Sequence, residues 1–122
     1  MKNLKILIAE DDEISEMFLS LAVQEFGEEI ITVKTGIDAV EVCCNNPDID
    51  LVLMDIKMPE MDGYVAIRQI RLFNPNIVII AQTAFVQNDD RENAMSAGCN
   101  DYIAKPYSKS ELYSLIEKRF KM

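Results

Sequence analysis

The stretch DLVLMDIKMPEMDG (50–63) decides how this chain is read. Four apolar residues, Leu51 to Met54, stand between Asp50 and Asp55, the pattern of a strand buried on both faces in a parallel sheet. Asp55 then sits where the strand runs out, at the carboxyl edge of the sheet. That edge is where open α/β folds place their ligands. Working outward, the run Leu4–Ala9 ends the same way, at Glu10 and Asp11. Parallel neighbours lie about 4.8 Å apart, so two such strands side by side bring three carboxylates to one spot. A cluster of that kind calls for a cation.

Strand and helix patterns alternate through the rest of the chain. Strands are expected at Leu4–Ala9, Ile30–Lys34, Leu51–Met54, Ile77–Ala81 and Asp101–Ala104. Ile14, Met17, Phe18, Leu21 and Ala22 form an apolar helical stripe that stops near Gly27, and Ile37, Val40, Cys43 and Cys44 form a second. Asp62 reads as the N-cap of a third helix, with Ile67 and Ile70 inward and Asn74-Pro75 at its end. A fourth around Arg91–Ala97 stops at Gly98, a C′ residue. Ser108-Lys109-Ser110-Glu111 is a capping box for the last, whose inner face is Leu112, Leu115, Ile116 and Phe120. Five βα units joined by right-handed crossovers make a doubly wound parallel sheet, one domain over 1–122 without linker or repeat.

The 122 residues are enough to bury about two thirds of the unfolded surface. No run of eighteen apolar residues and no secretory leader is present, so neither membrane insertion nor export is expected. Twelve basic against 21 acidic residues give a net charge of −9, which argues against direct nucleic-acid binding. The chain has no His, and Cys43, Cys44 and Cys99 suggest neither a disulfide framework nor a zinc site. Buried reduced thiols in a cytoplasmic protein are the expectation.

The segments ILIAEDDEIS (6–15), DLVLMDIKMPEMDG (50–63), VIIAQTA (78–84) and AGCNDYIAKPYS (97–108) resemble the receiver domains of two-component response regulators, over essentially the whole chain. Their local phrasing is similar to receivers attached to hybrid sensor histidine kinases. The resemblance implies a flavodoxin-like fold of five helices and a five-stranded sheet in the order 2-1-3-4-5, with its site between strands one and three. It makes Asp55 the phosphoacceptor, taking a phosphoryl group from phosphohistidine on a histidine kinase or histidine phosphotransfer domain to form an acyl phosphate. Glu10, Asp11, Asp55 and the backbone carbonyl of Lys57 become the Mg²⁺ ligands, with Asp12 a non-ligand that starts the next helix. Lys105 becomes the cation that pairs first with Asp55 and then with the phosphoryl group, directed inward by a cis bond to Pro106. Thr83 and Tyr102 match the switch pair, and Lys57 and Phe85 flank the path of the hydrolysing water. A phosphorylation-dependent dimer is a further implication.

Mg²⁺ has a plain physical motive. Two carboxylates 4 Å apart repel by about 4 kcal/mol at an effective dielectric near 20, before a phosphoryl group arrives. Mg²⁺ takes oxygen ligands and bridges carboxylates to phosphate, and phosphoryl transfer needs little beyond positioning and charge neutralisation. Two other classes compete. A haloacid-dehalogenase-like phosphatase needs a second Asp two residues after the nucleophile, where this chain has Lys57, and usually a larger body. A pseudo-receiver, a pure interaction module, loses the phosphoacceptor, an acid or the Lys, and all are present here. Flavin binding lacks a phosphate loop after the first strand.

Overall fold

The computed structural model describes residues 3–83 and 90–121. Five strands alternate with five helices: β1 (Leu4–Ala9), α1 (Glu13–Ala22), β2 (Gly27–Val33), α2 (Gly36–Asn45), β3 (Leu51–Asp55), α3 (Gly63–Phe73), β4 (Val78–Thr83), α4 (Asp90–Ala97), β5 (Asp101–Ala104) and α5 (Lys109–Phe120). The strands form one sheet in the order β2-β1-β3-β4-β5, every pairing parallel. This is the flavodoxin-like order expected above.

Alternation along the strands builds two cores, one on each face of the sheet. Leu7, Val52, Met54 and Ile79 meet Ala39 and Cys43 of α2, Ile67 and Ile70 of α3 and Ala94 of α4 on one side. Ile6, Ile8, Leu51, Leu53, Ile80 and Ile103 meet Leu19 and Ala22 of α1 and Leu112 and Ile116 of α5 on the other. The central strand β3 is buried along its whole length, which is why it reads as an unbroken apolar run.

Several boundaries move. β2 begins at Gly27 rather than Ile30 and ends at Val33 rather than Lys34; its exposed Glu28 and Glu29 suit an edge strand and hid its start. β3 takes in Asp55, and β4 runs from Val78 to Thr83 because the ladder continues to Asp55↔Gln82 and Thr83↔Ala104.

The larger correction concerns α1. Ile14, Met17, Phe18 and Leu21, the stripe expected to face the core, are all exposed, Ile14 by 79%. The buried residues are Leu19 and Ala22, followed by Val23 and Phe26. This helix carries two apolar faces, and its rotational phase is set at its start. Asp12 accepts from the Ser15 amide at 2.9 Å, immediately after the acids that end β1, which turns Ile14 away from the sheet. On α2, Cys43 is buried but Cys44 and Ile37 are exposed, so the expectation of buried thiols fails at Cys44. Asp62, Ser108 and Glu111 cap as expected.

Candidate functional site

Each candidate group sits at a strand end, and the ladder extends just past the strands to fix it. The Glu10 amide donates to Val33 O at 3.0 Å, the Ile56 amide to Gln82 O at 3.0 Å and the Lys105 amide to Thr83 O at 2.7 Å. Glu10 is fully buried, Asp55 and Thr83 nearly so, whereas Asp11 and Lys57 are exposed. The order β1-β3-β4-β5 thus collects residues about 95 positions apart at one edge.

Carboxylate oxygens of Glu10, Asp11 and Asp55 all lie within 4.8 Å of one another. Hard oxygen donors at that spacing fit one divalent cation of the Mg²⁺ type. Glu10 Oε2 accepts from the Asp12 amide at 3.1 Å, and Asp55 Oδ1 from the Lys57 amide at 3.1 Å. Lys105 Nζ lies 2.8 Å from Glu10 Oε1 and 3.7 Å from Asp55 Oδ2. The expected ion pair between Lys105 and Asp55 is present, and Glu10 is a second, nearer partner that the sequence reading did not name. The extra methylene of a Glu brings its carboxylate closer to the ammonium.

Electrostatics follow from this packing. Burial, and then the neighbouring Glu10, push the Asp55 carboxyl up to about 7. Burial pulls Lys105 down, but Glu10 and Asp55 outweigh it and hold the ammonium above its ordinary value. The buried carboxylate is thus reluctant to hold its charge with the Lys105 ammonium 3.7 Å away, and a metal would supply what is short.

The loop after Asp55 explains two glycines. A Cβ on Gly63 would stand 2.4 Å from Asp55 O and 2.7 Å from Ile56 Cα, so only glycine lets α3 start against the strand end. The Gly63 amide closes the turn by donating to Ile56 O at 2.8 Å. A Cβ on Gly36 would collide with Met61 O, and its absence lets this loop lie on the start of α2.

Around the acids, the structure brings Thr83 to the end of β4 and places Tyr102 half-buried against the α2–α3–α4 core. The Lys105–Pro106 bond is cis, as expected. Phe85 lies outside the described residues. Sequence reasoning missed a pair: Tyr107 Oη donates to Gln82 Oε1 at 2.6 Å. The signal was an amide at the end of an otherwise apolar run, Val78 to Ala81. Burial, reinforced by Glu10 and Asp55, pushes the Tyr107 hydroxyl above its ordinary value, so it stays protonated as a donor. A cavity of about 390 Å³ opens beside the acids, lined by Ile14, Ser15, Phe18, Lys105, Pro106 and Tyr107.

Comparison with known proteins agrees with this geometry. The family model described as "Response regulator receiver domain" matches residues 6–117. Hybrid signal transduction histidine kinase L of Dictyostelium discoideum is 34% identical over 121 residues, covering 93% of this chain but 7% of the kinase. The chain spans a fifth or less of the first curated relatives it matches. The receiver domain of sensor histidine kinase PA1611 from Pseudomonas aeruginosa PAO1, solved with magnesium in its active-site cleft, is 35% identical with a TM-score of 0.84, covering 95% of this chain and 96% of that one. The receiver domain of Saccharomyces cerevisiae Ssk1, solved with the histidine phosphotransfer protein Ypd1, is 28% identical with a TM-score of 0.86, covering 96% and 88%.

Proposed function

Because this chain belongs to the response regulator receiver domain family of two-component signalling, we propose that Asp55 accepts a phosphoryl group from phosphohistidine and so switches a partner-binding surface. The observation that carries the reading is the convergence of Glu10, Asp11, Asp55 and Lys105 at one sheet edge, with three carboxylates inside 4.8 Å. An Asp55 carboxylate oxygen attacks phosphorus, the O–P bond forms, and the N–P bond breaks with its electron pair returning to the imidazole. Lys105 moves from Glu10 to a phosphoryl oxygen, and the Thr83 hydroxyl donates to another. Glu10, Asp11, Asp55 and the Lys57 carbonyl would hold Mg²⁺, which when bound neutralises the charge gathered on acceptor and phosphoryl group. Water reverses the modification by attacking the acyl phosphate. The chain is then a signalling switch rather than a metabolic enzyme.

Thr83 drawn toward the phosphoryl group would let Tyr102 rotate inward, shifting the face formed by α4, β5 and α5 between two states that partners bind differently. The donor is a histidine kinase or a histidine phosphotransfer domain. To put its phosphorus in reach of Asp55, it must land on the adjoining rim, where α1 exposes Ile14, Met17, Phe18 and Leu21. An apolar patch beside a charged site suits a helical partner with a matching apolar strip. Among the described residues no helix is long and apolar enough to cross a membrane, and we place the domain in the cytoplasm, with no direct nucleic-acid contact.

Incubation with phosphoramidate and Mg²⁺ should raise the intact mass by one phosphate, map it to Asp55, and reverse on standing. Undiminished modification of an Asp55→Ala protein would remove the assignment.

A further inference from the structure

Asp55 and Gln82 are register partners on β3 and β4. Two residues earlier on the same strands, Leu53 and Ile80 both enter the core under α1 and α5. Side chains alternate along a strand, so Asp55 and Gln82 turn to that same side, next to each other. Gln82 is fully buried. Its Oε1 accepts from Tyr107 Oη at 2.6 Å, and its Nε2 has no hydrogen-bond partner among the described residues. Tyr107 stands two residues after Lys105, and its ring meets Phe18 of α1 edge-on, with centroids 6.0 Å apart. One hydrogen bond therefore ties the strand beside the acceptor to the segment that carries the active-site cation and to a wall of the cavity.

We propose that Gln82 and Tyr107 form a brace that holds Lys105 in place over the acidic site, making both positioning residues for phosphoryl transfer to Asp55. A buried amide is costly to leave unpaired. Losing the Tyr107 hydroxyl would strand both ends of Gln82, which can then relax only by disturbing its neighbours, and Lys105 is tethered to one of them. The inference rests on the phosphoacceptor reading and adds residues to it that act through Lys105 without touching the phosphoryl group.

The test is the rate of Asp55 phosphorylation by phosphoramidate with Mg²⁺, in Tyr107→Phe, Gln82→Met and the double variant. The loss of one hydrogen bond predicts each single variant slower by about two- to ten-fold. The double variant should be no slower than either single one, because the two residues act as a unit. It should also recover the thermal stability that the single variants lose, since replacing both partners by apolar groups leaves no stranded polar atom. That split between recovered stability and unrecovered rate is what a purely structural role would not give. In a Lys105→Ala background, Tyr107→Phe should change the rate by less than about two-fold, because the group it positions is gone. Rates equal to wild type in all variants, or an undiminished effect of Tyr107→Phe without Lys105, overturn the brace alone. No phosphoryl uptake by the wild type would overturn the phosphoacceptor reading and the brace together.

Discussion

Lys105 Nζ lies 2.8 Å from Glu10 Oε1 and 3.7 Å from Asp55 Oδ2, so the ammonium is held mainly by the acid that follows β1 rather than by the one that ends β3. Asp55 consequently keeps less of the cation's compensation than its position suggests. Its raised carboxyl, near 7, follows from burial and from Glu10.

This gives the metal-free protein a definite pH dependence. In the folded state Asp55 binds its proton more tightly than in the unfolded chain. Between the ordinary carboxyl range and about pH 7 the folded state therefore carries more protons, and stability falls as pH rises through that window. Urea melts in a chelator should show this decline, and Asp55→Asn should flatten it while raising stability near neutral pH. A wild-type profile that climbs across the window would contradict the electrostatics described above.

Mg²⁺ should reverse the penalty. Added metal should raise the wild-type melting temperature by mass action, with a dependence on concentration that reports its dissociation constant. Asp11→Asn removes one of the three converging carboxylates, so its stabilisation by Mg²⁺ should be much smaller. Its metal-free form should be the more stable of the two, as relieved functional sites often are. Equal Mg²⁺ shifts in the two proteins would speak against Asp11 as a ligand.

The outer face of α1 gives a prediction that separates recognition from chemistry. Ile14 is 79% exposed, so Ile14→Glu should alter folding stability by no more than about 0.5 kcal/mol. Phosphorylation by phosphoramidate should continue, while transfer from the phosphorylated partner kinase or phosphotransfer domain should slow by about ten-fold or more, the scale of an apolar anchor lost from an interface. Undiminished transfer would place the docking surface elsewhere.

The lifetime of the acyl phosphate is the fourth case. Lys57 follows Asp55 by two residues and is exposed, and Phe85 follows Thr83 by two in the sequence. A bulky apolar ring and a long aliphatic stem can shield the acyl phosphate, and neither has a carboxylate or amide to orient the attacking water. Lys57→Asn combined with Phe85→Ser should therefore hydrolyse faster in a single-turnover assay. An unchanged or slower rate would eliminate shielding.

What the sequence disclosed, and what it hid, divides along physical lines. The place of Asp55 and Glu10 was legible because each ends an apolar run, and a parallel sheet gathers strand ends at one edge, whereas Lys105 came from the resemblance to receiver domains. Asp62 and Ser108 were legible because capping is local chemistry. The inward face of α1 was not, since Ile14, Met17, Phe18 and Leu21 present a larger apolar stripe than Leu19, Ala22 and Val23. Only the rotational phase fixed at Asp12 chooses between them. The nearer partner of Lys105 was hidden too, because the reach of Glu10 against Asp55 is a matter of one methylene in three dimensions. Gln82 and Tyr107 are 25 positions apart, and no local pattern joins them.

The two faces of α1 also divide the labour of change. Its inner arc is committed to the core, and the acids and Lys105 are fixed by strand ends whose hydrogen bonds do not involve the helix surface. Apart from Phe18, whose ring meets Tyr107, its outer arc of exposed apolar side chains is bound by neither duty. On the proposed reading, a gene carrying this domain could exchange those surface residues, and with them the donor it answers to, while the phosphate chemistry at the sheet edge went on unaltered.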